Sequence, residues 1–231
     1  MKRTLTLLTA LLLASLPICV CAYDFEVDGI YYNITTDGEE VEVTNGNTNN
    51  YSGEVTIPST VEYNSTKYIV TSIGDNAFNG CTSLTSIDIP SSVTSIGRWA
   101  FRFCTSLTTV DIPSSVTSIG DQAFYCCYSL TSIDIPSSVT SIGDQVFSGC
   151  DSLTSINVSN SNANYYSIDG VLYNKAVTQL ICCPSAKTSI DIPSSVTSIG
   201  DWAFNNCTSL TSIDIPSSVT SIGDYAFYYC I

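Results

Sequence analysis

Apolar and polar positions alternate in a fixed order along most of this chain. In one stretch the apolar residues are Leu84, Ile87, Ile89, Val93, Ile96, Ala100, Phe101 and Cys104, and those between them are mostly Ser, Thr and Asp. Ile87 and Ile89 alternate with Ser86 and Asp88, the period of two of a half-buried strand, and β-branched residues favour that conformation. Pro90 closes the strand, because it has no amide to give to a ladder. Gly97 turns the chain. In most units an acidic residue follows the glycine, such as Asp75, Asp121 or Asp144. It is placed to cap a short helical turn that carries Ala-Phe inward. Arg98 departs from this in one unit.

The order repeats. The phrase TSIDIPSSVTSIGD recurs almost unchanged, followed by an aromatic-rich stretch and a cysteine, and its Ile-Gly falls at Ile73, Ile96, Ile119, Ile142, Ile199 and Ile222. The spacing is 23 residues throughout, except for one interval of 57 between Ile142 and Ile199. A period of 23 lies within the range of leucine-rich repeats. One such unit cannot bury its own apolar face, so successive units must stack, with parallel strands about 4.8 Å apart. The predicted fold class is therefore an α/β repeat solenoid: a leucine-rich-repeat stack of short parallel strands with short helical turns around one continuous interior. Residues 23–70 lack the repeat and carry hairpin signals at Asp28-Gly29 and Asp37-Gly38, which predict a β-rich N-terminal cap. The solenoid is assigned to 71–231. Within it, 157–187 forms an irregular unit with a β-hairpin at Asp169-Gly170, either an enlarged coil or a partner-recognition element.

Together, Ile-Pro-Ser-Ser-Val-Thr-Ser-Ile-Gly-Asp, Ala-Phe and Cys-x-Ser-Leu resemble the repeat of BspA-like leucine-rich-repeat proteins from about Val70 onward. The stretches Asp169 to Asn174 and Ile181 to Pro184 are similar to that family's longer irregular unit. Val27 to Tyr32 resembles the leader that often precedes these repeats. The resemblance implies a surface or secreted protein associated with adhesion to host proteins or other cells. It implies no catalytic residues.

Charge and composition narrow the functions. Seven basic against twenty-one acidic residues give a net charge of −14, which disfavours nucleic acid and anionic membrane surfaces as partners. There is no histidine, which removes the usual base near neutral pH, the commonest zinc ligand and every Ser-His or Cys-His pair. No catalytic, metal or cofactor-binding residues are assigned, although a carboxylate pair acting on sugars remains as an alternative chemistry. Lys2 and Arg3 precede an apolar run from Leu5 to Leu16, and Val20-Cys21-Ala22 offers a processing site. Residues 1–22 therefore read as a signal peptide cleaved after Ala22, and the location as secreted or cell surface. Ile18 and Val20 fit lipoprotein processing badly.

Three groups of residues stand out. Asp88, Asp111, Asp134, Asp191 and Asp214 occupy the outward slot between the strand isoleucines, with Asn157 breaking the series, and predict an acidic row. Such a row is either a solvated face or an attractor for cations or a basic partner. Trp99, Trp202 and Tyr225 share one variable slot after the glycine, either as a binding surface or as packing between coils. Cys81, Cys104, Cys127, Cys150, Cys207 and Cys230 recur with the period and predict a buried thiol column, with disulfides or metal binding as alternatives. Cys126 takes a slot held elsewhere by Gly80 and Gly149 and is the more reactive thiol on this reading. The expected partner is an extracellular or cell-surface protein. The sequence stops at Ile231, where the next unit would begin, so either the chain is truncated or its last edge is open to self-association. A structural envelope protein with no dedicated ligand is the alternative to adhesion.

Overall fold

The structure, a computed structural model, describes residues 23–46 and 51–230. The expected signal peptide lies outside the described residues. Strands β1 (Phe25–Val27), β2 (Ile30–Ile34) and β3 (Glu40–Thr44) form an antiparallel meander. Next come β4 (Gly53–Thr56), β5 (Thr60–Tyr63) and β6 (Thr66–Ile73), with β5 and β6 making a hairpin. Strand β6 runs parallel to β3 and links this region to the coils. Phe25 stacks on Tyr63 with ring centroids 4.4 Å apart. Tyr51 accepts from the Tyr31 amide (3.0 Å) and donates to the Thr44 carbonyl (2.9 Å), and its ring lies 4.6 Å from Phe78 in the first coil.

Each coil has three sides. One carries the alternating strand: β7 (Leu84–Asp88), β9 (Thr109–Val110), β11 (Ser132–Ile135) and β13 (Ser155–Val158). There β4, β7 and β9 pair in parallel, as do β11 and β13. A second side, read from the sequence as turn, is also a ladder. Strands β8 (Ser95–Ile96), β10 (Ser118–Ile119) and β12 (Ser141–Ile142) extend from β6 in parallel and in register. Threonines reinforce it: the Thr94 amide and hydroxyl both donate to the Thr71 carbonyl, at 2.8 and 3.2 Å, and Thr117 and Thr140 repeat the arrangement one and two coils on.

The third side corrects the expectation of helical turns. The described residues contain no helix. The chain instead makes successive β-turns: the Ala77 amide donates to Gly74 (3.2 Å) and the Cys81 amide to Phe78 (3.0 Å). The third residue of each turn, Asn76 or Gly80, has positive φ, the signature of a type II turn. Trp99 and Phe103, Gln122 and Cys126, and Trp202 and Asn206 repeat this pair of left-handed positions. A left-handed residue every fourth position breaks any helix. The alternate amides turn outward along the stack instead. Asn76, Phe78 and Gly80 donate to the Arg98, Ala100 and Arg102 carbonyls of the next coil at 2.7–2.9 Å, and Trp99, Phe101 and Phe103 do the same one coil on. The acidic residue after the glycine serves this contact rather than a helix cap. Asp75 accepts from the Arg98 amide (2.7 Å), Asp121 from Asp144 (3.0 Å) and Asp201 from Asp224 (2.7 Å).

The glycine is required by close approach rather than by turn geometry. A Cβ on Gly120 would lie 2.6 Å from the Arg98 nitrogen and 2.7 Å from the Gly97 carbonyl carbon. Inside, Phe78, Phe101, Phe124 and Phe147 stack nearly parallel, with centroids 5.1, 5.2 and 5.9 Å apart.

The irregular interval divides the stack. Strands β14 (Tyr165–Ile168) and β15 (Val171–Asn174) form a hairpin, and β16 (Gln179–Cys182) adds antiparallel to β15. From β16 a new parallel ladder runs through β17 (Ser198–Ile199) and β18 (Ser221–Ile222). The first ladder ends at β12, where the Ile142 amide donates to the Tyr165 hydroxyl (2.9 Å). The buried Asn162 pins the unit to the coil before it: its amide donates to the Pro136 and Val139 carbonyls, and its oxygen accepts from the Asn164 and Tyr165 amides. The expected single interior is accordingly two packed groups. They adjoin at Leu172 in one and Val171 and Tyr173 in the other.

Two substitutions test this packing by urea denaturation. Phe124→Ala is expected to cost about 3–5 kcal/mol, as removal of a stacked, fully buried ring does. Gly120→Ala is expected to destabilise through the backbone clash, whereas the exposed Ser137→Ala should stay within about 0.5 kcal/mol of the parent. Equal midpoints for all three would show that the coils are not held by this contact.

Candidate functional site

The repeats nearly copy one another on both strand sides, and their differences gather on the turn side. The first variable slot holds Asn76, Trp99, Gln122, Gln145, Trp202 and Tyr225 in successive coils. The second holds Asn79, Arg102, Tyr125, Ser148, Asn205 and Tyr228. The third runs from Gly80 and Phe103 through Cys126 and Gly149 to Asn206 and Tyr229, and a fourth adds Tyr128 and Asp151. Because the chain crosses this side at the same place in every coil, the variable residues form one strip along the stack.

The strip has two parts. In the first, Trp99 donates from Nε1 to Gln122 (3.0 Å), and the Arg98 guanidinium lies 3.8 Å from the Trp99 ring centroid. The Arg102 guanidinium lies 4.6 Å from the Phe103 ring centroid and 5.7 Å from that of Tyr125, and its Nε is buried without a hydrogen-bond partner. In the second, Trp202 stacks on Tyr225 at 4.5 Å and meets Tyr228 edge-on at 5.5 Å. The structure thus brings Trp202 and Tyr225 together. Trp99 belongs to the other part, with Gln122 and Gln145 between it and Trp202 in the slot series. Tyr225 is 60% exposed, whereas Trp99 and Trp202 are half-buried.

Where the irregular unit interrupts the stack, the two parts face each other across a groove of about 310 Å³. Cys126, Ser148 and Gly149 are its buried residues, and the exposed Tyr128, Tyr228 and Tyr229 contribute rings to its wall. Two hydrogen bonds tie the sides together: Ser148 with Asn205, and Asn206 with Asp151. Contact with the Cys126 thiol, then the nearby charge and burial, lifts the Tyr128 phenol to about 12, so it stays a hydrogen-bond donor across the physiological range.

All five aspartates of the predicted acidic row are exposed. Ile87 faces Val110 across the ladder, so Asp88 and Asp111 are neighbours, and Asp134 faces Asn157, which donates to it at 2.9 Å. The irregular unit separates these from Asp191 and Asp214, which lie on segments outside any strand. The structure therefore gathers three of the five.

The nine described cysteines are free thiols. Cys104, Cys127 and Cys150 each donate at 3.1 Å to the phenylalanine carbonyl of the preceding coil, at Phe78, Phe101 and Phe124. Burial raises the Cys81 thiol to about 11 and pushes Cys104 and Cys127 up as well. Cys126, read as the reactive thiol, is also buried, and burial raises it too. The slot opposite glycines faces the next coil rather than water: a Cβ on Gly149 would meet the Cys126 sulfur at 2.8 Å. Among the described residues no group of three or more Cys, Asp or Glu is placed to hold a metal ion.

The fold is that of a leucine-rich-repeat protein, and comparison with known proteins sharpens the class. A family model, the BspA type leucine rich repeat region, matches residues 71–187 and 175–231 in six copies. The chain belongs to the BspA-type leucine-rich-repeat family. It is similar to a leucine-rich repeat protein from Eubacterium ventriosum, with 30% identity, a TM-score of 0.62 and coverage of 87% of this chain and 62% of that one. A leucine-rich repeat protein from Bacteroides ovatus is 28% identical, with a TM-score of 0.56 over 90% of this chain and 63% of that one. The pneumococcal vaccine antigen PcpA shares the fold at 22% identity, with a TM-score of 0.59 and coverage of 90% and 68%. The chain thus spans less than two thirds of the Eubacterium and Bacteroides proteins. Comparison with curated proteins gives no match.

The buried thiols set a pH dependence. In the unfolded chain Cys81 titrates near 9.0, and in the folded chain near 11. A raised folded value means that its contribution to stability is complete below pH 9 and is lost as the pH rises toward 11. The urea midpoint is expected to fall across that window, and alkylation of Cys81, Cys104 and Cys127 at pH 8 to require unfolding. Rapid alkylation of Cys81, Cys104 and Cys127 in the native protein would contradict the thiol column, whereas Cys182 and Cys230, which are only half-buried, react first.

Proposed function

We propose that this chain is a secreted or cell-surface solenoid that binds other proteins through its turn side and mediates attachment to host or other cells. The observation that carries this reading is the concentration of repeat-to-repeat variation on one side, where the strip alternates aromatic rings, amides and two arginines stacked on aromatic rings. Binding surfaces draw on aromatic and arginine side chains in this way. Strand sides that barely change from coil to coil serve the stack; the turn side is free to differ. Membership of a family of repeat scaffolds supports the reading, as does the apolar leader of residues 1–22. Among the described residues no helix is long and apolar enough to cross a membrane. The protein acts without catalysis on this view: with no histidine in the chain, the turn strip presents surfaces rather than a nucleophile and its base.

The test is attachment. The purified protein, applied to an array of extracellular-matrix and epithelial proteins, is expected to bind a subset of them. Trp99→Ser, Trp202→Ser and Tyr225→Ser together should weaken that binding by about tenfold or more, since interface aromatics truncated to small residues commonly cost upward of about 1–2 kcal/mol. Absence of binding across the array, or binding indifferent to all three substitutions, would favour an envelope repeat protein with no dedicated ligand.

A further inference from the structure

We infer that the groove at the break in the stack takes a neutral saccharide, held between its tyrosine and tryptophan rings and hydrogen-bonded by Gln145 and Asp151. This site goes beyond the protein-binding reading and does not depend on it.

The break itself makes the site. In the regular stack each turn is joined to the next by backbone hydrogen bonds. After the coil containing Ser148 the irregular unit intervenes, and the next turn side, that of Trp202 and Asn205, is reached by two side-chain bridges instead of the backbone ladder. The gap that results is about 310 Å³, at the lower end of small-ligand sites.

Its lining matches the two-sided chemistry of a sugar ring. A pyranose offers an apolar face of C–H groups and a rim of hydroxyls. Five aromatic rings line the groove, Tyr125, Tyr128, Trp202, Tyr228 and Tyr229, and an aromatic face receives weakly polarised C–H groups well. Gln145 and the lone pairs that the Asp151 carboxylate keeps beyond its bond with Asn206 supply the donor and acceptors that vicinal hydroxyls need, while Asn205 and Asn206 bridge the groove. No lysine or arginine lines the groove, so an anionic sugar finds no counter-charge there. The rings are also held in place. Trp202 is backed by Tyr225, and Tyr228 and Tyr229 meet edge-on at 4.3 Å. A prearranged wall of this kind loses little side-chain freedom on binding.

The experiment uses the full chain with a panel of neutral gluco-, galacto-, manno- and N-acetylglucosamine oligosaccharides, read by calorimetry and by tryptophan fluorescence. At least one series is expected to bind. Tyr128→Ala and Tyr229→Ala, which remove exposed rings, should each weaken it by about tenfold or more, and Asp151→Asn should weaken it less. Ser137→Ala, at an exposed position outside both the groove and the strip, should leave it unchanged. Gln145→Ala provides a second probe if a tyrosine variant fails to fold. The inference is overturned if no neutral oligosaccharide binds, or if binding occurs but ignores Tyr128, Tyr229 and Gln145. Protein-array binding measured on the same samples separates the two claims: array binding without saccharide binding removes the groove assignment and leaves the attachment reading standing.

Discussion

The structure depends on backbone hydrogen bonds that one coil cannot satisfy alone. On the turn side every second amide, such as those of Asn76, Phe78 and Gly80, finds its acceptor on the next coil. On the two-residue ladder the Gly97, Gly120 and Gly143 amides donate back to Ile73, Ile96 and Ile119 at 2.8–2.9 Å. Buried amides left without partners are costly, so a coil either stacks or unfolds. The glycine column, the phenylalanine stack and the thiol column all follow from this spacing. Glycine alone permits the approach, flat rings fill the space between adjacent turns, and a small sulfur fits beside the carbonyl of the preceding turn.

The same constraint explains the distribution of variation. Side chains that pack inside the stack are alike in every coil, because each meets a copy of itself, as Phe101 meets Phe124, whereas on the turn side it is the backbone that joins the coils. Side chains that leave the turn side carry no such duty, and there the chain places tryptophan, tyrosine, arginine and asparagine. The irregular unit converts a uniform stack into two blocks with a seam. Asn162 and Tyr165 provide ordered ends for that seam by replacing backbone partners with side-chain ones. We propose that function on this scaffold belongs to the strip and to the seam that interrupts it.

Much of this architecture was legible in the sequence, because a 23-residue period of isoleucines and prolines leaves few alternatives to a parallel stack. What was not legible is what neighbours decide. Gly-Asp followed by Ala-Phe has the local look of a capped helical turn, and only the next coil's carbonyls show why Trp99 and Gln122 adopt positive φ instead. The Ser-Ile ladder of β8, β10 and β12 leaves no mark in the sequence pattern because a two-residue strand has no periodicity of its own. Trp202 and Tyr225 could be picked out from their shared slot. The groove could not, since Ser148 and Asn205 are brought together across the irregular unit. The burial of Cys126 is hidden for a similar reason: a slot shared with glycine suggests surface, whereas here the glycine marks close approach.

Native-state hydrogen exchange tests the central claim most directly. If stacking alone holds the coils, the Phe101 and Phe124 amides exchange only when the stack opens, as slowly as those of β8 and β10 and with the same denaturant dependence. Exchange of those two amides at the rate of an unstructured chain, while the strands stay protected, would contradict it.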